Sequence, residues 1–260
     1  MDHNVHSAPS TILNKVPQVT FAFWVIKICA TTLGETGGDA LSMTLDFGYA
    51  VSTAIFFGLF LVTVAAQVSA QSYHRFLYWG VIVATTTVGT TVSDYLTRTA
   101  ELGYLKSSIL LFAMVTSVLT LWHFTLGSVS VNRITNRKAE SFYWTTILFS
   151  NTLGTALGDC LADTSGLGYE GGALVFGAAL ALIAAAYFFT EISHTALFWM
   201  AFILTRPLGA TLGDLLTKPL SHGGFNLGRF TSSFVIAAVI VVCILFTSRN
   251  AGSHHRADDS

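Results

Sequence analysis

The segment CATTLGETGGDAL at residues 29–41 decides the fold, because three further copies of its pattern follow along the chain. They read ATTTVGTTVSDYL at 84–96, SNTLGTALGDCL at 150–161 and TRPLGATLGDLL at 205–216. In every copy a glycine lies five residues before an aspartate, a tryptophan lies ten residues before that glycine, and a second glycine follows the aspartate by nine. A spacing that recurs four times without gaps predicts four copies of one structural unit.

The matched residues are Trp24, Gly34, Asp39 and Gly48; Trp79, Gly89, Asp94 and Gly103; Trp144, Gly154, Asp159 and Gly168; and Trp199, Gly209, Asp214 and Gly223. Successive tryptophans are 55, 65 and 55 residues apart, so the chain looks like a duplicated pair of units. Below, the four matched aspartates are called the repeat aspartates.

The composition is typical of helices packed in lipid. Of 260 residues, 52% are hydrophobic and only 10% are charged, and the net charge of −1 leaves no basic face for nucleic acid. Eight apolar windows have the length of a spanning helix, at about 19–43, 47–68, 76–96, 105–126, 142–161, 171–190, 196–216 and 230–246. The sequence therefore predicts an all-α integral membrane protein with eight transmembrane helices, built from four parallel tandem two-helix repeats with pseudo-fourfold or nested twofold symmetry.

The polar ends and the loop charges predict the organisation of the chain. We expect a polar N-terminus at 1–17, a transmembrane domain at 18–247 with repeats at 18–70, 74–128, 139–191 and 194–247, and a polar tail at 248–260. An even number of spans places both termini on one side. The lysines and arginines of the ends and loops on that side are seven: Lys15, Arg75, Arg133, Arg137, Lys138, Arg249 and Arg256. The loops on the other side carry four, Arg98, Lys106, Lys218 and Arg229, and this difference predicts cytoplasmic termini.

This pattern resembles a four-repeat bacterial inner-membrane family that is catalogued as a repeat of unknown function, with two transmembrane helices and a tryptophan in each repeat. The resemblance covers roughly residues 18–247. It implies the architecture and a location in the bacterial inner membrane, and it implies no activity.

Each odd-numbered helix carries a polar stripe that ends in its repeat aspartate. On a helix, the positions three, four, seven and eight residues before the aspartate share its face. We expect the polar residues at these positions to line a site or path: Thr36, Thr86, Thr90, Thr91, Asn151, Thr155 and Thr211. The structural alternative is that each threonine hydroxyl donates to a carbonyl of its own helix.

The candidate metal ligands are five carboxylates in the predicted spans, Glu35, Asp39, Asp94, Asp159 and Asp214. Only Lys27 and Arg206 oppose them there, which predicts an excess of three negative charges. A carboxylate within a bilayer needs a partner, a proton, water or a cation. Carboxylate, hydroxyl and amide oxygens suit hard cations such as Mn²⁺, Mg²⁺ and Ca²⁺.

Depth along the helix leaves a second interpretation of the aspartates open. Each follows its tryptophan by fifteen residues, about 22 Å along a helix, in the outer third of the span. There, each aspartate would cap the next helix or turn. We interpret Lys27 and Arg206, which break the repeat symmetry, as gating or charge-balancing residues. Arg206 would either compete with a substrate cation for the carboxylates or neutralise one aspartate.

These residues favour a membrane transporter, specifically an exporter, of an inorganic cation such as Mn²⁺, with proton coupling through the same carboxylates as an option. The alternatives are a passive cation channel and a non-catalytic scaffold in which the aspartates are helix caps. No HExxH or GxGD-type protease signature is present, so an enzyme is not expected. The expected partners are the cation and the lipid bilayer. No cofactor is expected beyond a bound cation, and a homo-oligomer is left open.

Overall fold

Eight long helices make up the part of the chain that the computed structural model describes, residues 15–131, 134 and 136–247. Their bounds are α1 Phe21–Asp39, α2 Gly48–Ser69, α3 Arg75–Asp94, α4 Gly103–Leu126, α5 Arg137–Thr164, α6 Gly168–Phe189, α7 His194–Thr217 and α8 Arg229–Phe246. The eight helices expected from the sequence are therefore present. Residues 1–14 and the tail at 248–260 lie outside the described residues, as does Arg133, which carries part of the predicted charge bias.

Side-chain caps and π-helical turns define several helix ends. Thr20 Oγ1 accepts from the backbone N–H of Phe23 at 3.3 Å, and Asn136 Oδ1 accepts from that of Ala139 at 2.8 Å. Each cap satisfies an N–H that the first turn leaves unpaired. At their other ends, α1 and α3 pass directly from the repeat aspartate into one π-helical turn, at Ala40–Thr44 and Tyr95–Thr99. The sequence analysis did not predict these turns.

The second glycine of the repeat is required by the loop that follows each odd-numbered helix. Gly48, Gly103, Gly168 and Gly223 all have φ between 63° and 79°. This left-handed conformation costs an ordinary L-residue roughly 1–2 kcal/mol, whereas glycine adopts it freely. The constant spacing between the aspartate and this glycine therefore reflects a loop position that needs a left-handed backbone in all four repeats.

The odd-numbered helices form an inner ring, and the even-numbered helices surround it. Around the ring, α1 packs against α3, α3 against α5, α5 against α7, and α7 against α1. Outside it, α2, α4 and α6 each pack against the next odd-numbered helix, and α8 packs against α1. Since the even-numbered helices alternate with them along the chain, all four inner helices run in the same direction.

The first glycine of the repeat lets neighbouring inner helices approach closely. Each of these glycines packs against one residue of the neighbouring inner helix. That residue lies three positions before the first glycine of its own repeat. The contacts are Gly34 with Thr86, Gly89 with Asn151, Gly154 with Arg206, and Gly209 with Thr31. A β-carbon at Gly34, Gly154 or Gly209 would lie within 2.5 Å of a heavy atom of the neighbouring helix, and one at Gly89 would lie 3.1 Å away. A larger residue would therefore force the helices apart at the first three positions.

Six of the helices are long and apolar enough to cross a membrane: α2, α3 with its π turn, α4, α6, α7 and α8. α1 and α5 are outside this group, although eight spans were expected. α1 carries Lys27, Glu35 and Asp39, and α5 carries a run of small polar residues, Ser150, Asn151 and Thr152, at its centre. Both belong to the inner ring, where the neighbouring helices cover their polar faces.

Candidate functional site

Polar and aromatic side chains fill the inner ring in five levels. Counting back from each repeat aspartate in steps of four residues gives positions that are successive neighbours on the helix surface. The levels are Asp39, Asp94, Asp159 and Asp214; Glu35, Thr90, Thr155 and Ala210; Thr31, Thr86, Asn151 and Arg206; Lys27, Ile82, Ile147 and Phe202; and Phe23, Tyr78, Tyr143 and Phe198. Every one of these residues is buried. The positions four and eight residues before each aspartate, which belong to the predicted polar stripe, are therefore buried in the helix bundle.

The repeat aspartates lie at one end of the ring and form two pairs, each joined by one basic side chain. Arg98 joins Asp94 and Asp159, with N···O distances of 3.3 and 3.5 Å. Lys218 joins Asp39 and Asp214, with Nζ 3.0 Å from an oxygen of each. All four aspartates are buried despite their position near the helix ends.

The repeat aspartates do not act as helix caps in the described part of the chain. The N-cap residues of α2, α4, α6 and α8 are Phe47, Leu102, Leu167 and Gly228, and none of them makes a side-chain capping bond. The carboxylates face the basic residues described above instead.

The predicted excess of three negative charges is wrong. Besides Arg98 and Lys218, Arg229 also approaches Asp39, with Nε 3.6 Å from Oδ2. With Lys27 and Arg206, five basic residues oppose the five predicted carboxylates. From the sequence, Arg98, Lys218 and Arg229 were expected to lie in loops. The position of Arg98 and Lys218 four residues after an aspartate, one helical turn away, was the signal that could have found two of them.

Arg206 forms a fully buried ion pair with Glu35 at the centre of the ring. Its Nη2 lies 3.0 Å from Glu35 Oε2 and also donates to Thr90 Oγ1, while its Nη1 donates to the carbonyl of Thr31 at 3.3 Å. The charge-balancing role expected for Arg206 is therefore directed at Glu35, and no ion pair joins Arg206 to an aspartate in the described residues.

Three of the five predicted metal ligands converge. Oxygen atoms of Glu35, Asp39 and Asp214 lie within 4.8 Å of one another, and we call these residues the carboxylate triad. Gly213 makes the arrangement possible, since a β-carbon there would lie 2.7 Å from Glu35 Cβ. Asp94 and Asp159 are not part of the triad, so the predicted five-ligand set is divided. Buried carboxylates in this arrangement can coordinate a hard cation.

The predicted path-lining side chains mostly bond to the backbone. The hydroxyls of Thr86, Thr90, Thr91, Thr155 and Thr211 donate to carbonyls of their own helices. Thr86 and Thr90 also reach carbonyls of α1, at 3.1 Å each. The bonds within each helix are those of the structural alternative, and Thr86 and Thr90 in addition fasten α3 to α1.

Two of the predicted path-lining threonines lie between the inner and outer helices rather than on the axis. Thr36 Oγ1 is 2.8 Å from Ser233 Oγ of α8, and the Thr211 side chain packs on Gly172 of α6. Asn151, by contrast, lies inside the ring, where its Nδ2 donates to Thr85 Oγ1 at 3.1 Å.

A closed set of aromatic contacts seals the other end of the ring. Each inner helix carries an aromatic residue directly before its tryptophan, and that ring meets the tryptophan of the next repeat. The centroid distances are 5.4 Å for Phe23–Trp79, 5.6 Å for Tyr78–Trp144, 6.2 Å for Tyr143–Trp199 and 5.8 Å for Phe198–Trp24. The sequence analysis missed this level, although the aromatic pairs were visible in every copy.

Lys27 is buried inside the ring without an acidic partner among the described residues. Its Nζ donates to Asn151 Oδ1 at 3.3 Å and lies 4.1 Å from the centroid of the Phe202 ring. The groups around the ammonium are thus an amide oxygen and an aromatic ring face, which offset only part of the cost of burying its charge. Lys27 is therefore a candidate functional residue that the fold does not need.

We expect Lys27→Met to raise the free energy of unfolding by about 1–3 kcal/mol, since a buried polar group with few partners is costly. Lys15→Met is the matched control, because Lys15 Nζ lies 2.9 Å from Glu140 Oε2 and its loss should lower stability. Thermal unfolding of both variants in detergent checks the signs. Equal destabilisation by the two substitutions would contradict the assignment of Lys27.

The comparisons with known proteins agree with the repeat pattern. The family model described as Repeat of Unknown Function (DUF347) matches four segments, residues 22–73, 77–128, 142–193 and 197–253. No curated protein and no solved structure matches the chain. The four matches together cover most of the sequence and each contains one helix pair of the fold. The chain therefore belongs to the family of repeats of unknown function, DUF347.

Proposed function

We propose that the chain spans the bacterial inner membrane eight times, with the four repeats arranged in pseudo-fourfold symmetry around an axis along the membrane normal. The apolar outer helices, with exposed side chains such as Leu61, Phe112, Leu182 and Val242, suit a lipid environment. α1 and α5 need no apolar surface of their own because the other helices enclose them.

We further propose that both termini are cytoplasmic and that the repeat aspartates lie toward the outer side. Arg98, Lys218 and Arg229 account for three of the four basic residues predicted on that side, and all three are engaged by carboxylates. Orientation follows the number of lysines and arginines and depends little on nearby carboxylates. The count of seven against four therefore favours cytoplasmic termini.

Within this arrangement, we propose that the protein transports an inorganic cation, as an exporter of a hard divalent metal ion such as Mn²⁺. The observation that carries the proposal is the carboxylate triad, in which three buried carboxylates from two neighbouring helices approach within 4.8 Å. Acidic residues inside a membrane are costly even when basic residues pair with them, and they often mark the path of an ion. Proton exchange at the same carboxylates would supply coupling.

A carrier fits the interior better than a passive channel does. The axis is filled at two levels, by the aromatic side chains at one end and by the Arg206–Glu35 pair at the centre. A channel needs a continuous aqueous path, whereas a carrier opens to one side at a time.

The second candidate is a non-catalytic membrane scaffold. The balance between five acidic and five basic residues favours it, because a neutral interior is stable without any bound ion. The scaffold predicts no ion flux, so the two candidates differ in one measurement.

That measurement is ion flux in proteoliposomes, with Mn²⁺, Mg²⁺, Ca²⁺, Zn²⁺, K⁺ and Na⁺ offered in turn. Asp39→Asn and Asp214→Asn should reduce the selective flux by about 10–100-fold, the usual cost of disturbing a metal site. Asp46→Asn is the matched control, because Asp46 is an exposed carboxylate in the loop after α1, and its left-handed backbone (φ 58°) also suits asparagine. It should transport like the native protein.

The melting temperature of each variant is compared with that of the native protein before flux is interpreted. Absence of flux for every ion with folded native protein would refute transport and favour the scaffold. Equal flux in all three variants would remove the carboxylate triad from the path.

A further inference from the structure

The four repeats differ in the residue four positions after the repeat aspartate. This position holds Met43, Arg98, Asp163 and Lys218 in the order of the repeats. Only the second and fourth repeats therefore place a cation there, and each cation also reaches the aspartate of the following repeat around the ring. The result is two aspartate pairs with different basic residues between them.

The two basic residues differ in the geometry of their contacts, and Lys218 makes the shorter ones, at 3.0 Å each against 3.3 and 3.5 Å for Arg98. Arg98 contacts its two aspartates through two different nitrogens, Nε and Nη2. Lys218 contacts both of its aspartates through the single Nζ atom. A guanidinium is a rigid, planar fork that holds two carboxylates at once, whereas an ammonium is a compact point charge on a flexible stem. Of the two, the ammonium is the better mimic of a metal ion.

The surroundings of Lys218 also differ from those of Arg98. One turn before Asp39 lies Glu35, whereas Thr90 and Thr155 occupy that level beside the other pair. Lys218 Nζ therefore lies beside the carboxylate triad, 3.0 Å from two of its three members. Asp39 Oδ1 is buried there and has no hydrogen-bond partner in the described part of the chain. The site thus has a free oxygen ligand and an ammonium close to where a cation would sit.

Lys218 is the residue directly after α7, and its side chain is 11% exposed while both aspartates it joins are almost fully buried. The Arg98 side chain is 31% exposed, but it is also held by its donation to the Tyr49 hydroxyl at 3.0 Å. A change of side-chain rotamer would carry the ammonium toward solvent. Arg229 would remain near Asp39, at 3.6 Å, and Arg206 would remain paired with Glu35.

We propose that Lys218 is a tethered competitor that occupies the cation site at rest and is displaced by a divalent metal ion, while Arg98 is a permanent clamp of the other aspartate pair. This inference rests on the proposed function, since it names the residue that sets the affinity of the transport site. One ammonium leaves for each metal ion that enters, so the site binds the metal weakly enough to release it.

Mn²⁺ binding to the purified full chain in detergent tests the inference, with isothermal titration calorimetry as the readout. Lys218→Gln should bind Mn²⁺ about tenfold more tightly than the native protein or better, since a competing unit charge next to the site is removed. Arg98→Gln is the matched control, because it removes one positive charge from the homologous position of another repeat. The affinity of Arg98→Gln should rise clearly less than that of Lys218→Gln, since its charge lies at the other aspartate pair, farther from the carboxylate triad.

Lys218→Arg provides a second test in case Lys218→Gln does not fold. It keeps the charge and strengthens the hold on both aspartates, so it should weaken Mn²⁺ binding relative to the native protein. If the native protein binds Mn²⁺ and Lys218→Gln binds it equally well or more weakly, the inference is overturned and the proposed function stands. The same holds if Lys218→Arg binds Mn²⁺ like the native protein. Failure of native protein and folded Lys218→Gln to bind Mn²⁺, Mg²⁺ or Ca²⁺ would overturn both.

Discussion

Arg206→Met is expected to lower the free energy of unfolding by about 3–5 kcal/mol, because it leaves the Glu35 carboxylate buried without its cation. Both side chains lie at the centre of the ring, Arg206 with none of its surface exposed and Glu35 with 3%. The substitution also removes the donors to Thr90 Oγ1 and the Thr31 carbonyl. Thermal and denaturant unfolding in detergent micelles measures the loss.

The double variant Arg206→Met with Glu35→Gln separates the ion pair from the volume of the side chains. It removes both charges and should recover most of the stability that the single substitution loses, since an uncompensated buried charge is the main cost. A single Arg206→Met variant as stable as the native protein would contradict the pairing. A double variant that loses more stability than the two single variants lose together would also contradict the pairing.

Gly34→Ala is expected to separate α1 from α3 and to destabilise the protein by about 1–3 kcal/mol, the usual cost of overpacking. The added β-carbon would lie 2.5 Å from Thr86 Cβ and 2.9 Å from the carbonyl carbon of Thr86. Because one of these atoms belongs to the backbone, no change of rotamer relieves the contact. The helices themselves must move.

Gly37→Ala is the control on the same helix, three residues away, where a β-carbon meets nothing within 4 Å. Alanine is favoured over glycine in a helix interior by about 1 kcal/mol, so this variant should gain stability. The unfolding free energies of the two variants should thus differ by about 2–4 kcal/mol. Equal melting temperatures would mean that the interhelical contact at Gly34 is looser than described.

The sequence predicted the architecture well because the same physical constraints recur in every repeat. Gly34 and its equivalents permit close approach, and Gly48 and its equivalents adopt a left-handed backbone, so their spacing survives in all four copies. The ends of the helices were predicted less well where an α-helix continues into a π-helical turn, because the composition does not change between them. The π turn Ala40–Thr44, for example, continues α1 inside the predicted span at 19–43.

The site was predicted in part, because its ligands are set by which helices become neighbours. The sequence identified Glu35, Asp39 and Asp214 as carboxylates on helix faces, and the contact of α1 with α7 is what brings them together. Nothing in the local sequence states that the first and last inner helices touch. The same contact places Lys218 beside Asp39, 179 positions away, which a count of loop charges could not anticipate.

The contact of α7 with α1 has the same form as the three contacts that precede it along the chain, with Gly209 on Thr31 repeating Gly34 on Thr86. Because all four contacts between inner helices have the same form, the ring could be formed by one chain of four repeats or by two chains of two repeats each. In such a homodimer every residue would occur twice, and Arg206 would meet its own copy across the axis. Joining the halves into a single polypeptide lets Lys27, Glu35 and Arg206 each occur once. The covalent fusion is therefore what permits an interior whose two halves carry different charges.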